Sequence, residues 1–113
     1  MSEYPRFEIC QGKDGKNYWH LKGANGEVVL RGRGYATKSE SLMAIGSLLR
    51  YGQLESGYLR RESANGTFFF QIKSPSGRLL GWSEMHPNKQ ARESAIERVK
   101  EACKRCNVID TTP

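Results

Sequence analysis

Three short stretches near the start of the chain alternate apolar and polar residues with a period of two. Phe7 and Ile9 alternate with charged or polar neighbours in the first stretch, and residues 17–22 and 27–31 form the second and third. This alternation is typical of β-strands that have one buried face. The sequence therefore predicts three strands within the first 31 residues.

Tight turns separate these three strands. The dipeptides Asp14-Gly15 and Asn25-Gly26 lie between the stretches, and both favour the positive φ that short turns require. Connections this short cannot hold the long crossover that parallel neighbours need. The three strands are therefore expected to form an antiparallel meander.

The period then changes to that of a helix. Thr37 and Glu40 have the spacing of a capping box, in which each side chain binds a backbone amide at the start of the helix. The apolar residues that follow recur every three or four positions, which predicts a helix of about three turns. Its predicted buried stripe is Leu42, Ile45, Leu48 and Leu49.

The whole pattern returns 51 positions later without a gap. Gly15 then matches Gly66, and Trp19 matches Phe70. The chain is therefore interpreted as a duplicated unit of about fifty residues, with further strands at 68–73 and 78–82 in the second copy. Other positions that match are Lys22 with Lys73, Gly26 with Gly77, Lys38 with Lys89, Ala44 with Ala95 and Ile45 with Ile96.

The second copy also predicts a helix. Asn88 takes the capping position after Pro87, and residues 108–110 have the character of a short closing strand. This helix is longer and more basic than the first. Its predicted apolar stripe is Ala91, Ala95, Ile96, Val99, Ala102 and Cys103.

A unit of fifty residues buries too little apolar surface to be comfortably stable alone. The two copies, 1–56 and 57–113, are therefore expected to share one core in one compact domain. The predicted fold is α+β: tandem βββα(β) repeats that form a single antiparallel sheet, with two helices on one face and pseudo-twofold symmetry.

The doubled unit resembles the YegP-like family of small uncharacterised bacterial proteins. The resemblance is carried by Asn65-Gly66 before the aromatic run 68–70, by 79–83 (LLGWS), by the helix 89–100 and by the matching pattern of the first copy. It covers about residues 7–110. It implies a three-strand, helix, strand unit, doubled in tandem or by dimerisation, in one sheet with exchanged terminal strands, and it implies no catalytic residues.

Charge and targeting signals narrow the class of partner. The chain has 18 Lys and Arg against 12 Asp and Glu, a net charge of +6, which favours polyanions. No apolar run of membrane-spanning length and no leader segment is found, so a cytoplasmic protein without membrane contact is expected. Three cysteines in that compartment are expected to be free thiols.

The sequence favours no enzyme and no cofactor. His20 and His86 do not match one another between the copies, as a symmetric active site would require. Cys103 and Cys106 have CxxC spacing, but they fall at the end of a helix, where the dipole disfavours a thiolate, and no second ligand pair is present for zinc. No catalytic residue and no metal ligand is assigned.

The remaining signal is a surface. If the helices cover the side of the sheet that carries Trp19 and Phe70, the other side carries aromatic and basic residues, the combination that binds single-stranded nucleic acid. Arg60 and Arg61 would extend it, depending on strand register. The alternative is a protein-interaction or scaffold module, with an acidic protein or a second copy as partner and either a monomeric pseudo-dimer or a weak homodimer as its state. The candidate binding residues are Tyr18, Lys22, Arg31, Arg33, Phe69 and Lys73.

Overall fold

A computed structural model describes residues 5–105 and 107–110 of the protein. Two helices lie on a single mixed β-sheet. The helices are α1 (Lys38–Tyr51) and α2 (Lys89–Arg105), and a short 3-10 turn spans Glu55–Gly57. The strands are β1 (Arg6–Gln11), β2 (Asn17–Lys22), β3 (Val28–Arg31), β4 (Tyr58–Glu62), β5 (Phe68–Lys73), β6 (Leu79–Ser83) and β7 (Asn107–Asp110).

The sheet has the strand order β4-β5-β6-β3-β2-β1-β7. Six strands form two antiparallel meanders, which confirms the predicted α+β fold. The seventh strand is the exception, because β7 pairs with β1 in parallel, from Arg6 with Asn107 to Ile9 with Asp110. The strand that follows the second helix thus closes the edge of the first repeat.

The two meanders meet at the centre of the sheet. β3 pairs with β6 antiparallel, Leu30 opposite Ser83 and Arg31 opposite Trp82. Residues 31 and 82 are also 51 positions apart, so the pseudo-twofold axis passes between them. We call this β3–β6 junction the seam.

A β-bulge interrupts the third strand of each repeat. In β3, Leu30 lies opposite Leu21 and Val28 lies opposite Lys22, so Val29 is an extra residue. The register of β6 against β5 shifts in the same way at Leu80. Because a bulge reverses the alternation of side chains that follow it, the two ends of each strand do not obey one period-two pattern.

The predicted turns and caps are confirmed. Gly15, Gly26, Gly66 and Gly77 all have a φ between 81° and 88°. The Thr37 side chain accepts a hydrogen bond from the Glu40 amide, and the Glu40 carboxylate accepts one from the Thr37 amide. In the second repeat the Asn88 Oδ1 accepts from the Ala91 amide at 2.8 Å.

Both helices cover the face of the sheet that carries Trp19 and Phe70. These two side chains are essentially fully buried, and they belong to one apolar cluster with residues of both helices and both meanders. None of the helices in residues 5–105 has the length and apolar content that a membrane crossing requires. The helical residues of the cluster are Ala44, Ile45, Leu48, Ala95, Ile96, Val99, Ala102 and Cys103.

The predicted buried stripe of α1 was wrong at Leu42. That side chain is 46% exposed, whereas Ser41 is fully buried. The Ser41 hydroxyl donates a hydrogen bond to the Asn17 carbonyl at 3.0 Å, which satisfies its buried oxygen and turns Leu42 outward. With 14 residues, α1 is also about one turn longer than predicted.

Candidate functional site

The face of the sheet opposite the helices is the candidate site, and we call it the open face. It receives every second side chain of the strands, as the register between neighbours defines. The aromatic and basic residues of β2 and β5 that were predicted to lie opposite the helices are found on this face. They are Tyr18, Lys22, Phe69 and Lys73. The residues of the open face are Arg6, Glu8, Cys10, Tyr18, His20, Lys22, Val28, Arg31, Leu59, Arg61, Phe69, Gln71, Lys73, Leu79 and Trp82.

Tyr18 lies on the open face, but its ring is held in place by the backbone around it. A Cβ added to Gly12 would come within 2.8 Å of one ring edge, and one added to Gly34 within 2.7 Å of the opposite edge. The Tyr18 hydroxyl donates a hydrogen bond to the Asp14 carboxylate at 2.6 Å. This bond lowers the pKa of Asp14 and raises that of Tyr18.

Lys22 is neutralised by a carboxylate on the same face. Its Nζ lies 3.2 Å from Glu8, which also receives an ion pair from Arg6 at 2.8 Å. Burial alone would raise the pKa of Glu8, but the hydrogen bonds and charges of Arg6 and Lys22 outweigh it, so the pKa lies below its ordinary value. Burial lowers the pKa of the neighbouring His20. The Glu8 carboxylate therefore offsets part of the positive charge of Arg6 and Lys22.

The two predicted arginines beside the seam differ in their surroundings. Arg31 on β3 donates from Nε to the Glu84 carboxylate at 2.7 Å, and both side chains are nearly half exposed. Arg33 follows β3, is exposed, and has no ion pair among residues 5–104. The structure thus leaves Arg33 as the free cation of this pair.

The second repeat carries the unneutralised cations of the open face. Lys73 has no carboxylate within ion-pair distance in the described part of the chain, and Arg61 donates only to the neutral Gln71 oxygen, at 3.1 Å. Phe69 lies opposite Arg61 in the register and is partly exposed. Arg60 points to the other face, where Glu55 and Glu93 hold it.

Trp82 also lies on this face, although the alternation of residues in the sequence does not place it there. Leu80 is buried, and strict alternation places position 82 on the same side as position 80. The bulge at Leu80 breaks this alternation, so Trp82 lies opposite Gln71 and Arg31 on the open face, partly exposed. The match of position 82 to Arg31 at the repeat offset was the signal that could have located it.

The pseudo-symmetry shows how the two halves of the open face differ. At the repeat offset Leu59 takes the place of Glu8, Arg61 that of Cys10, and Trp82 that of Arg31. The second half therefore has no equivalent of the neutralising carboxylate and has an additional aromatic ring. We call this set, Leu59, Arg61, Phe69, Gln71, Lys73 and Trp82, the second-repeat half-face.

A cavity of about 340 Å³ adjoins this half-face at the corner beside β4. Its walls are mainly apolar, from Tyr51, Leu54, Leu59 and Pro75, and Lys73 is its charged lining residue. A ligand with a flat, uncharged ring and an anionic group would fit this cavity, because the ring can contact the apolar walls while the anionic group lies near Lys73.

The other reactive side chains do not converge. Cys103 is buried against Gly52 in the helix layer, whereas Cys10 lies on the open face and Cys106 falls outside the described residues. His86 joins β5 through backbone hydrogen bonds with Phe68, and two strands, β6 and β3, separate β5 from β2, which carries His20. In the described residues no three His, Cys, Asp or Glu side chains form a group that could hold a metal.

The fold and its open face define a tandem βββα repeat protein whose two units meet at a central seam. A family model described as a domain of unknown function, DUF1508, matches the chain twice, at residues 13–56 and 63–110. The chain therefore belongs to this family, and its relatives include the YegP proteins of bacteria.

Curated relatives and solved structures agree with this assignment. The chain is 31% identical over 94 residues to the UPF0339 protein YegP of Escherichia coli K12, covering 83% of this chain and 86% of YegP. It is 28% identical over 105 residues to a UPF0339 protein of Pseudomonas aeruginosa, covering 93% and 96%.

Two solution NMR structures have the same fold. The Escherichia coli protein YegP, described as of unknown function, superimposes with a TM-score of 0.88 at 30% identity, over 95% of this chain and 92% of that one. A UPF0339 protein of Shewanella oneidensis gives a TM-score of 0.89 at 27% identity, over 95% and 91%.

Proposed function

We propose that this protein is a non-enzymatic binding protein that binds single-stranded nucleic acid on the second-repeat half-face. The observation that carries the proposal is the combination, on one uncovered sheet surface, of two partly exposed rings with two cations that have no carboxylate partner. Bases stack on rings, and Lys or Arg neutralises the phosphates between them.

The distribution of charge favours this half of the face over the other. Lys22 and Arg31 already have carboxylate partners, Glu8 and Glu84. A phosphate that approaches Lys22 meets the charge of Glu8 as well, so the net attraction there is small. At Lys73 the equivalent position is Leu59, and the full charge of the lysine is available to a phosphate.

The corner cavity gives the half-face a second element of recognition. It is lined by Leu54 and Leu59 and opens beside Lys73. A base placed in it would lose contact with water while its phosphate stays near the lysine. Double-stranded nucleic acid keeps its bases stacked inside the helix, so the arrangement favours a single strand.

The test is a fluorescence-anisotropy titration of labelled oligo(dT) and oligo(U) across a range of salt concentrations, with the variant Arg61→Gln, Lys73→Gln. Removal of two phosphate contacts is expected to reduce the slope of log K against log salt by about 1.4, since each contact to a single strand contributes about 0.7. The affinity at low salt is expected to fall about tenfold or more.

The matched control is Arg50→Gln, Lys89→Gln, which removes the same charge from exposed positions on the helices. It is expected to leave the salt slope unchanged. A control that weakens binding as much as the half-face variant would mean that only net charge attracts the strand. Self-association that salt does not weaken, with no affinity for either oligonucleotide, would support the protein-interaction alternative.

Glu8→Gln is expected to change the affinity for the oligonucleotide in the opposite direction in the same titration. The substitution releases Lys22 from its carboxylate partner. If a strand extends across the seam, affinity is expected to rise about threefold, because the charge of Lys22 is then no longer offset by Glu8 when it faces a phosphate. Unchanged affinity would confine the strand to the second repeat.

A further inference from the structure

A second cationic site lies at one end of the seam, beside the start of α1. Arg33 after β3 and Arg78 before β6 line one cavity of about 270 Å³, together with the segment 34–36 and Glu40. Both arginines are exposed, and neither has an ion-pair partner among the described side chains. Two guanidinium groups at one cavity provide paired donors of the kind that bind phosphate in a bidentate way.

The carboxylate of Glu40 is engaged elsewhere. Its Oε1 accepts hydrogen bonds from the Thr37 amide at 3.2 Å and from the Thr37 hydroxyl at 3.0 Å, as part of the capping box. It lines the cavity without pairing with Arg33 or Arg78. Neither arginine is therefore held in an ion pair by Glu40, although the negative charge of Glu40 offsets part of their positive charge.

The fold does not require this cationic pair. At the repeat offset Arg33 matches Glu84, and Arg78 matches Glu27, so the opposite end of the seam carries carboxylates at the equivalent positions. One backbone geometry thus accepts either sign of charge. The pair at this end is a feature of this chain's sequence that neither packing nor capping explains.

A second cavity, with a mixed polar and apolar lining that includes Ser47, continues from the first. It holds about 220 Å³, shares Tyr35, Glu40 and Arg78 with the first cavity, and is walled further in by Met43 and Ala44 of α1 and Leu80 of β6. Met43 is 72% exposed, so its side chain can close over a bound group. The two cavities together suit a ligand with an anionic head and an apolar body.

We propose that Arg33 and Arg78 form a binding site for a phosphate monoester whose apolar part lies against Tyr35, Met43 and Ala44. A phosphate monoester carries close to two negative charges at neutral pH, which the two guanidinium groups match. The site does not depend on nucleic-acid binding by the open face. The phosphate can belong to a small molecule or to the end of a strand, and the test distinguishes these sources.

The experiment is an NMR titration of the full ¹⁵N-labelled chain with phenyl phosphate and, separately, with inorganic phosphate. Saturable shifts are expected at the amides of residues 33–36, with phenyl phosphate binding at least threefold more tightly because only it has an apolar group. Arg33→Gln, Arg78→Gln is expected to weaken phenyl phosphate binding at least tenfold, and Arg50→Gln, Lys89→Gln less than twofold.

Glu40→Gln tests the same site through an expected increase in affinity for phenyl phosphate. Glutamine keeps the capping hydrogen bonds and removes the negative charge from the cavity. Phenyl phosphate is expected to bind two- to threefold more tightly to this variant. Absence of saturable shifts at millimolar ligand, or equal affinities for the wild type and the double arginine variant, would overturn the proposal.

Two further arms identify the source of the phosphate. A 5′-phosphorylated oligo(dT) is compared with the same strand ending in a 5′-hydroxyl. A preference for the phosphorylated strand that disappears in Arg33→Gln, Arg78→Gln supports a strand end as the ligand. Equal binding of both strands, with saturable binding of phenyl phosphate, supports a small phosphorylated molecule.

Discussion

Replacement of Gly32 by valine is expected to lower the free energy of unfolding by about 3 kcal/mol, the upper range for overpacked cores. A Cβ at this position would lie 1.9 Å from Nε1 of Trp19, and Trp19 is only 1% exposed. The ring cannot move away, because Gly81 packs against its other end, where an added Cβ would meet the ring at 3.0 Å. Urea unfolding followed by circular dichroism measures the loss.

Gly46→Ala is the control for this substitution. A Cβ on Gly46 meets nothing within 4 Å, and the residue lies within α1. Alanine is expected to stabilise the helix there by up to about 1 kcal/mol, because it is a better helix former than glycine. Gly32→Val with wild-type stability would mean that the Trp19 ring does not lie beneath this segment.

Trp19→Ala is expected to lower the free energy of unfolding by about 3 to 5 kcal/mol. Tyr18→Ala is expected to lower it by about 1 kcal/mol, the net contribution of one hydrogen bond. Trp19 is buried on the helix side, where its ring packs 5.8 Å from that of Phe7. Tyr18 faces the open side and makes one side-chain hydrogen bond at the surface, to Asp14. Urea unfolding of the two variants compares the costs directly.

This comparison decides which face of the sheet is the core. A larger loss for Tyr18→Ala than for Trp19→Ala would mean that the open face is the buried one. The surface assigned to nucleic acid would then be unavailable. Phe70 and Phe69 offer the same comparison in the second repeat, with the larger loss expected at Phe70.

Local sequence signals predicted the elements of this fold well. The turn glycines, the Thr37 capping box and the Asn88 cap each act within four residues, so their chemistry is visible in the chain itself. Each strand of one repeat also has a matching stretch 51 positions away in the other repeat, which supports both assignments. It also indicated that two units would assemble with pseudo-twofold symmetry, as the seam between β3 and β6 shows.

Features that depend on tertiary pairing were less visible. Strict alternation fails at the bulges of β3 and β6, which is why Trp82 was not placed on the open face. The buried Ser41 in α1 depends on a carbonyl 24 positions away, so the helix pattern alone pointed to Leu42. The parallel pairing of β7 with β1 joins the two ends of the chain and has no local signal.

The electrostatics of the candidate site depended even more on long-range contacts. Lys22 and Lys73 match at the repeat offset and look equivalent in the sequence. Only the register of β1 and β2 brings Glu8 to Lys22, and only the seam brings Glu84 to Arg31, 53 positions away. The sequence therefore predicted the basic face but not which of its cations are free.

The most direct test of the proposed stacking surface is the fluorescence of Trp82 during titration with oligo(dT) at low salt. Trp19 is buried beneath the helices, so Trp82 is the tryptophan that a stacking base can quench. We expect saturable quenching in the wild type and its loss in Trp82→Phe, a variant that is expected still to bind in the anisotropy assay. Binding by anisotropy with no change in Trp82 emission, or no binding at all, would contradict it.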